Sequence, residues 1–319
     1  MRVGAIDIGS NSIRLLVSDT PDGQPWGERM DTVARAGESC RLGRGLHETG
    51  RVDDELVERA GTLVGEFLRR ARSLGARHVV AAATAALRRA TNGAAAAERI
   101  SEVAGVPVRI LSEADEARLV YRAVVMGLGK RMAGSQCVVF DLGGGSTEVV
   151  SGVGERLGRW TSLPFGAVTL TERLAASDPP SAEELERIRD WVRTELMHGC
   201  ASFPDRAATL AGVGGTVTVL AALDAGMNTY DPSLLEGAFV PRARLHELIT
   251  RIVTARQDER RSMPVMGEGR ADIVGTGALV VEGLVERFQA AGLVCSTQGL
   301  RFGLARLAAE EWLSLNAGQ

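Results

Sequence analysis

VFDLGGGSTEVVS, residues 139–151, decides the reading of this chain, because a second copy of it is present. AIDIGSNSIRLLV, residues 5–17, lies over it without a gap when Asp7 is set on Asp141. Both segments read as an apolar strand ending in Asp, a tight Gly/Ser turn, and a second alternating strand. Such a β-hairpin exposes backbone N–H groups at its turn. Two copies far apart in the chain indicate two similar domains rather than a short-period solenoid.

Around the hairpins, strands and helices alternate. Helices are expected over 53–73, near 94–103, from a Ser112 cap to about 126, over 181–197 behind the cap sequence SAEE, and over 242–255 and 271–289. A final amphipathic helix is expected over 299–313, and strands over 77–82, 106–111 and 209–213, the last running into GVGGT. The alternation predicts an α/β fold with mixed sheets. GLGKRMAGSQ, residues 127–136, is the linker candidate.

A length of 319 residues suffices for two domains with separate cores, and 45% hydrophobic with 24% charged residues is ordinary globular composition. The net charge of −3 gives no global positive field, so an anion site must be local and no nucleic-acid partner is expected. Cys40, Cys137, Cys200 and Cys295 form no CxxC pair and read as small buried residues in a reduced compartment. His47, His78, His198 and His246 show no HxxxH spacing, which argues against zinc. The opening MRVGAIDIGS is already core-strand sequence, and no apolar run approaches the ~18 residues of a membrane span. A cytoplasmic protein without signal peptide or membrane partner is expected.

The chemistry sits in the turns. Gly9 lets a ligand approach the backbone, while Ser10, Asn11 and Ser12 add hydroxyl and amide donors suited to phosphate. Gly143, Gly144 and Gly145 are costly in chain entropy, so a turn alone does not account for them; close approach of a bulky anion does. Glu148 stands where the first copy has Arg14, and an Asp141/Glu148 pair beside a phosphate cradle calls for a cation, most naturally Mg²⁺, with Mn²⁺ as the substitute. Gly214 and Gly215, in a turn that starts a helix, make a third anion site. In SEADEARL, residues 112–119, the acids Glu113, Asp115 and Glu116 on their own complement a helix dipole, and Arg88 and Arg89 in ATAALRRATN on their own read as surface arginines.

With these five segments in order, the chain resembles the exopolyphosphatase/guanosine pentaphosphate phosphohydrolase (Ppx/GppA) family in its short, two-domain form. MPVMGEGRADIVGTGALVVE, residues 263–282, matches that family's long connecting helix. The resemblance implies duplicated ribonuclease-H-like domains around a central cleft, as in actin, sugar kinases and heat-shock chaperones. The expected domains are 1–126, with the first phosphate loop and the catalytic Glu, and 127–319, with the final helix able to pack back on the first. By the same resemblance Glu116 is the catalytic glutamate, and Asp141 and Glu148 are the metal and water-orienting carboxylates. Ser10, Asn11, Ser12, Arg88, Gly143, Gly144, Gly145, Ser146 and Thr147 are its phosphate contacts.

Three departures bear on substrate detail: Ser-Glu-Ala-Asp-Glu-Ala replaces the family's Ser-Gly-x-Glu-Glu-Ala, Ala85 stands where serine is frequent, and Phe302 where an acid is common.

The activity implied is hydrolysis of the terminal phosphate of polyphosphate, with guanosine pentaphosphate as the alternative substrate and room left for a homodimer. A phosphotransferase would need a bound acceptor in place of water. A non-catalytic phosphate sensor would not need Glu116, Asp141 and Glu148.

Overall fold

The computed structural model describes residues 1–20, 25–26, 30–132, 134–267 and 269–316; Ala133 of the expected linker and Glu268 of the 263–282 motif lie outside them. The chain forms two compact units, Met1–Gly127 with Gln298–Gln319, and Leu128–Thr297.

The first unit runs β1 (Arg2–Ile8), β2 (Ser12–Asp19), β3 (Asp31–Ser39), α1 (Leu46–Thr49), α2 (Asp54–Ser73), β4 (His78–Ala83), α3 (Ala85–Arg89), α4 (Gly93–Ala104), β5 (Val108–Ile110) and α5 (Glu113–Leu128). Its sheet has the order β3-β2-β1-β4-β5, with β1 antiparallel to β2 and parallel to β4. Asp53 starts α2 by accepting the N–H groups of Glu55 and Leu56 at 2.9 and 3.1 Å. Val57, Ala60, Val64, Phe67, Leu68 and Ala71 then recur at helical spacing and bury one stripe against the sheet. Gly61 admits Val103 of α4: a Cβ there would lie 2.7 Å from the Val103 Cβ.

In the second unit a short 3₁₀ turn, Gly129–Arg131, leads to β6 (Gln136–Leu142), β7 (Thr147–Val153), β8 (Arg156–Leu163), α6 (Ala167–Leu174), α7 (Ala182–Gly199), β9 (Thr209–Val213) and α8 (Gly215–Asp224). There follow α9 (Pro232–Leu235), β10 (Phe239–Pro241), α10 (Arg242–Thr254), α11 (Gln257–Arg261), α12 (Val274–Arg287) and β11 (Gly292–Cys295). This sheet is ordered β10-β11-β9-β6-β7-β8. Without β10 it repeats the first sheet strand for strand: an antiparallel meander β6-β7-β8, then β9 parallel to β6 and β11 parallel to β9. The duplication extends to register, since Asp7 pairs with Arg14 as Asp141 pairs with Glu148. The fold is therefore α/β with duplicated ribonuclease-H-like sheets. α12 is buried nearly all round at the centre of the second core.

The last helix, α13 (Leu300–Asn316), belongs to the first unit. It differs from the amphipathic helix expected, because Leu300, Phe302–Arg306, Ala308 and Ala309 are all buried. The reason is that α13 is covered on two sides. It packs on β1 and β4, and Gly303 lies against the Leu119 backbone of α5, where a Cβ would come within 2.7 Å of the carbonyl oxygen. Glu311 ties its far end to the sheet, hydrogen-bonding His78 at 3.0 Å and forming a two-pronged pair with Arg109. All four cysteines are buried thiols outside any disulfide. Among the described residues no helix is long and apolar enough to cross a membrane.

The SAEE cap is realised as a reciprocal box. Ser181 accepts the Glu184 N–H at 3.2 Å, and the Glu184 carboxylate accepts the N–H groups of Ser181 and Ala176 at 2.8 and 3.0 Å and the Ser177 hydroxyl. The Ser177 hydroxyl and then the two N–H groups hold the Glu184 carboxyl down at about 2, from an ordinary 4.5. A depressed folded pKa contributes stability that is complete above 4.5 and lost as pH falls from there toward 2. Glu184→Gln should flatten the melting-temperature profile of the wild type between those two pH values. Superimposable profiles for the two proteins would refute this role.

Candidate functional site

In each unit the motifs converge because parallel strands deliver them to one edge of a sheet. Ile8 of β1, Ala83 of β4 and Ile110 of β5 are register partners, so the chain leaves all three strands side by side. It enters, respectively, the 9–12 turn, the helix carrying Arg88, and the helix carrying Glu116. In the second unit Asp141 of β6 pairs with Val213 of β9, which sets the turn 143–146 beside Gly214 and Gly215. Residues distant in sequence thus meet at the carboxyl ends of parallel strands, the usual place for a ligand in an α/β sheet.

The two loops share a geometry. Gly9 N–H donates to the Ser12 carbonyl at 3.1 Å, and Gly143 N–H to the Ser146 carbonyl at 3.1 Å. In the second loop, α6 supplies a clamp: Ala167 N–H donates to the Gly143 carbonyl at 3.0 Å, and Val168 and Thr169 N–H to the Gly144 carbonyl at 3.0 and 3.1 Å. A trans peptide points its C=O and N–H in opposite directions. With those carbonyls turned toward α6, the N–H groups of Gly144 and Gly145 are turned to the loop's other side. The first loop is clamped in the same sense, with Cys40 and Arg41 N–H on the Asn11 carbonyl and Gly43 N–H on that of Ser10.

Gly166 makes the α6 clamp feasible, since a Cβ there would lie 2.4 Å from the Gly143 carbonyl oxygen. It is a residue the sequence reading missed; its only signal is a glycine just after a strand. Thr147 is fully buried and gives its hydroxyl proton to the Phe165 carbonyl at 2.8 Å, so its side chain secures the approach to α6. Gly214, at φ 118, needs its glycine on two counts, because a Cβ would also meet the Leu142 carbonyl oxygen at 2.5 Å. At Gly215 a Cβ would lie 3.3 Å from Nε of Arg270, which places this unassigned arginine beside the N-terminus of α8.

The acidic segment 112–119 divides by environment. Asp115 and Arg118 pair on the surface at 3.2 Å, and the Ser112 hydroxyl accepts the Asp115 N–H. Glu116 instead points inward, 5% exposed. Its carboxylate takes Arg88 Nη1 at 2.7 Å, and the same nitrogen donates to the Leu111 carbonyl at 3.0 Å. Arg88 is therefore not the surface arginine that its residue type suggests, with 15% of its side chain exposed; Arg89 is exposed. Arg88 and Glu116 form one unit.

Asp141 and Glu148 face each other across β6 and β7, and Glu148, 1% exposed, accepts the Ser162 hydroxyl at 2.9 Å. Two carboxylates in register offer the hard oxygen donors that a Mg²⁺-sized cation takes, with phosphate oxygens and water completing its shell. In the first copy Arg14 replaces the second carboxylate, its Nε donating to the Ser12 hydroxyl at 3.0 Å. Burial pushes the Asp7 carboxyl up from its ordinary range against the pull of Arg14 and Arg301. Phe302 is buried, with the Arg35 guanidinium 5.1 Å from its ring centroid, so a cation–π contact fills that position.

Comparison with known proteins identifies a family for the chain. The model of the Ppx/GppA phosphatase family matches residues 16–308. Exopolyphosphatase 2 of Mycobacterium tuberculosis is 37% identical over 294 residues, covering 90% of this chain and 91% of its own. Exopolyphosphatase 1 of Mycobacterium leprae is 31% identical, covering 88% of this chain and 82% of its own. The crystal structure of the Aquifex aeolicus Ppx/GppA family member superposes with a TM-score of 0.82 at 31% identity over 99% of both chains.

Removing one partner of a buried ion pair strands the other charge, at about 3–5 kcal/mol. Arg88→Met should lower unfolding stability by about that amount, and Arg88→Met with Glu116→Leu should recover most of it. Denaturant titration of the three proteins measures both. A neutral Arg88→Met would mean that the pair carries no structural weight.

Proposed function

Starting from the fact that this chain belongs to the Ppx/GppA phosphatase family, we propose that it is an exopolyphosphatase, hydrolysing the terminal phosphoric anhydride of inorganic polyphosphate. The observation that carries the reading is Glu116, an inward carboxylate held by Arg88 at 2.7 Å at the sheet edge that also bears the first loop.

In this mechanism the backbone N–H groups and hydroxyls of Ser10–Ser12 and Gly143–Ser146 bind the phosphoryl oxygens and stabilise the charge that spreads over them during in-line attack. Gly214 and Gly215, with the α8 N-terminus, bind a further phosphate. Glu116 orients the attacking water and takes its proton, and Arg88 keeps the carboxylate in place. Asp141 and Glu148 would hold a divalent cation, Mg²⁺ or Mn²⁺. Bound there, the cation neutralises phosphate charge.

Polyphosphate is favoured over guanosine pentaphosphate because every assigned group recognises phosphate. The chain is only 4% aromatic, which leaves few rings to stack a base.

Phosphate release from long-chain polyphosphate with no added acceptor is the direct test, and it separates hydrolysis from both transfer and sensing. We expect cleavage of both substrates, with higher kcat/KM for the polymer. Glu116→Gln should bind polyphosphate yet lose about 10²–10⁴ in kcat; a variant with wild-type turnover would remove Glu116 from the mechanism. Excess chelator should abolish release, and added Mg²⁺ or Mn²⁺ should restore it. Activity untouched by chelator would eliminate the cation role of Asp141 and Glu148.

A further inference from the structure

A row of residues across three strands separates the two copies of the hairpin. In the second unit Asp141 of β6 pairs with Glu148 of β7, and Glu148 pairs with Ser162 of β8. In the first unit the same row reads Asp7, Arg14 and Gly37. The aspartate is kept. Where the middle residue is a glutamate, its outer neighbour carries a hydroxyl. Where it is an arginine, that neighbour has no side chain, and the arginine donates its Nε to the Ser12 hydroxyl of its own strand.

Ser162 uses its hydroxyl on the glutamate, donating to Glu148 Oε1 at 2.9 Å, a charge-assisted bond. Glu148 is 1% exposed, so water scarcely competes for its oxygens. The terminal torsion of a glutamate is broad, without a staggered well to hold it. A donor fixed on a sheet strand limits that rotation. The chain then runs on from β8 through Phe165, whose carbonyl takes the Thr147 hydroxyl at 2.8 Å. It continues to Ala167–Thr169, whose N–H groups hold the Gly143 and Gly144 carbonyls. One segment, 162–169, thus touches both the glutamate and the triple-glycine turn.

We infer that Ser162 is a positioning residue for the divalent-cation site, holding the Glu148 carboxylate in one orientation for the ion that Glu148 and Asp141 take. Groups that hydrogen-bond a ligating carboxylate set its direction, and losing one typically weakens metal binding about 10–100-fold. A carboxylate already held also has less freedom to lose when the cation arrives. The inference rests on the cation role proposed above for Asp141 and Glu148.

Mn²⁺ binding to the purified protein, without substrate, is read from the fall of the free-ion electron paramagnetic resonance signal. Ser162→Ala should raise the Mn²⁺ dissociation constant about 10–100-fold. The Mn²⁺ concentration for half-maximal phosphate release should rise with it. Ser162→Thr, which keeps the hydroxyl and suits a strand, should bind Mn²⁺ close to the wild-type value. Thr161→Ala should bind it as the wild type does, because Thr161 pairs with Val149 and faces the opposite side of the sheet. That variant separates loss of the hydroxyl from general loosening of β8. Should Ser162→Ala melt well below the wild type, Ser162→Cys, near serine in volume and only a weak donor, takes its place.

Wild-type Mn²⁺ affinity in Ser162→Ala, beside a Glu148→Gln protein that has lost it, overturns this assignment alone, and so does an equal loss in Thr161→Ala. A wild type that binds no Mn²⁺, or a Glu148→Gln protein that binds it unchanged, overturns the cation reading beneath it.

Discussion

Backbone carbonyls held from behind are the constraint on which both glycine loops depend. A peptide plane cannot turn its C=O and N–H the same way, so a segment that fixes a loop's carbonyls also fixes where its N–H groups point. The start of α6 does this for Gly143 and Gly144, and the turn after β3 does it for Ser10 and Asn11. The two clamps differ in structure, one a helix N-terminus and the other a turn with Arg41 in the left-handed region, yet they turn their loops alike. A loop built this way is preorganised: its dipoles are already oriented, so in the proposed role of an anion cradle it needs no reorganisation as charge develops.

The clamps in turn need the strand order. β1, β4 and β5 run parallel and end level, so the loop, Arg88 and Glu116 leave the sheet as neighbours. β6 and β9 do the same for the triple glycine and Gly214. Close contact at these junctions excludes side chains. Gly166 against Gly143 and Gly214 against Leu142 have no room for a Cβ. The glycine content of the motifs thus answers a demand of the fold itself, approach of the protein's own backbone.

Much of the fold was legible from residue pattern. Helices with caps and a clear apolar stripe, such as α2 behind Asp53 and α7 behind Ser181, lie where periodicity places them. β3 and β8 left no comparable signal. Both are edge strands with almost no fully buried positions, and neither DTVARAGES nor RLGRWTSL carries an apolar run. β11 is fully buried but only four residues long, too short for any period to register. α13 was misjudged in character because its second covering surface, α5, comes from far back in the chain. At the site, sequence pattern named the carboxylates and glycines. Only the family resemblance separated Glu116 from Asp115, since pattern alone does not tell apart two adjacent acids of which one faces solvent and the other an arginine.

Local order in the chain by itself determined the duplicated hairpin, the glycine turns and the equivalence of Asp7 with Asp141. Each is written in a contiguous run whose period and turn residues need no distant partner. Tertiary structure alone decided that Arg88 belongs to Glu116, that Gly166 supports the triple glycine, and that Ser162 meets Glu148. These are contacts between elements that only strand pairing and helix packing bring together. A side chain's role there depends on which neighbour replaces its water, and spacing along the chain does not encode that.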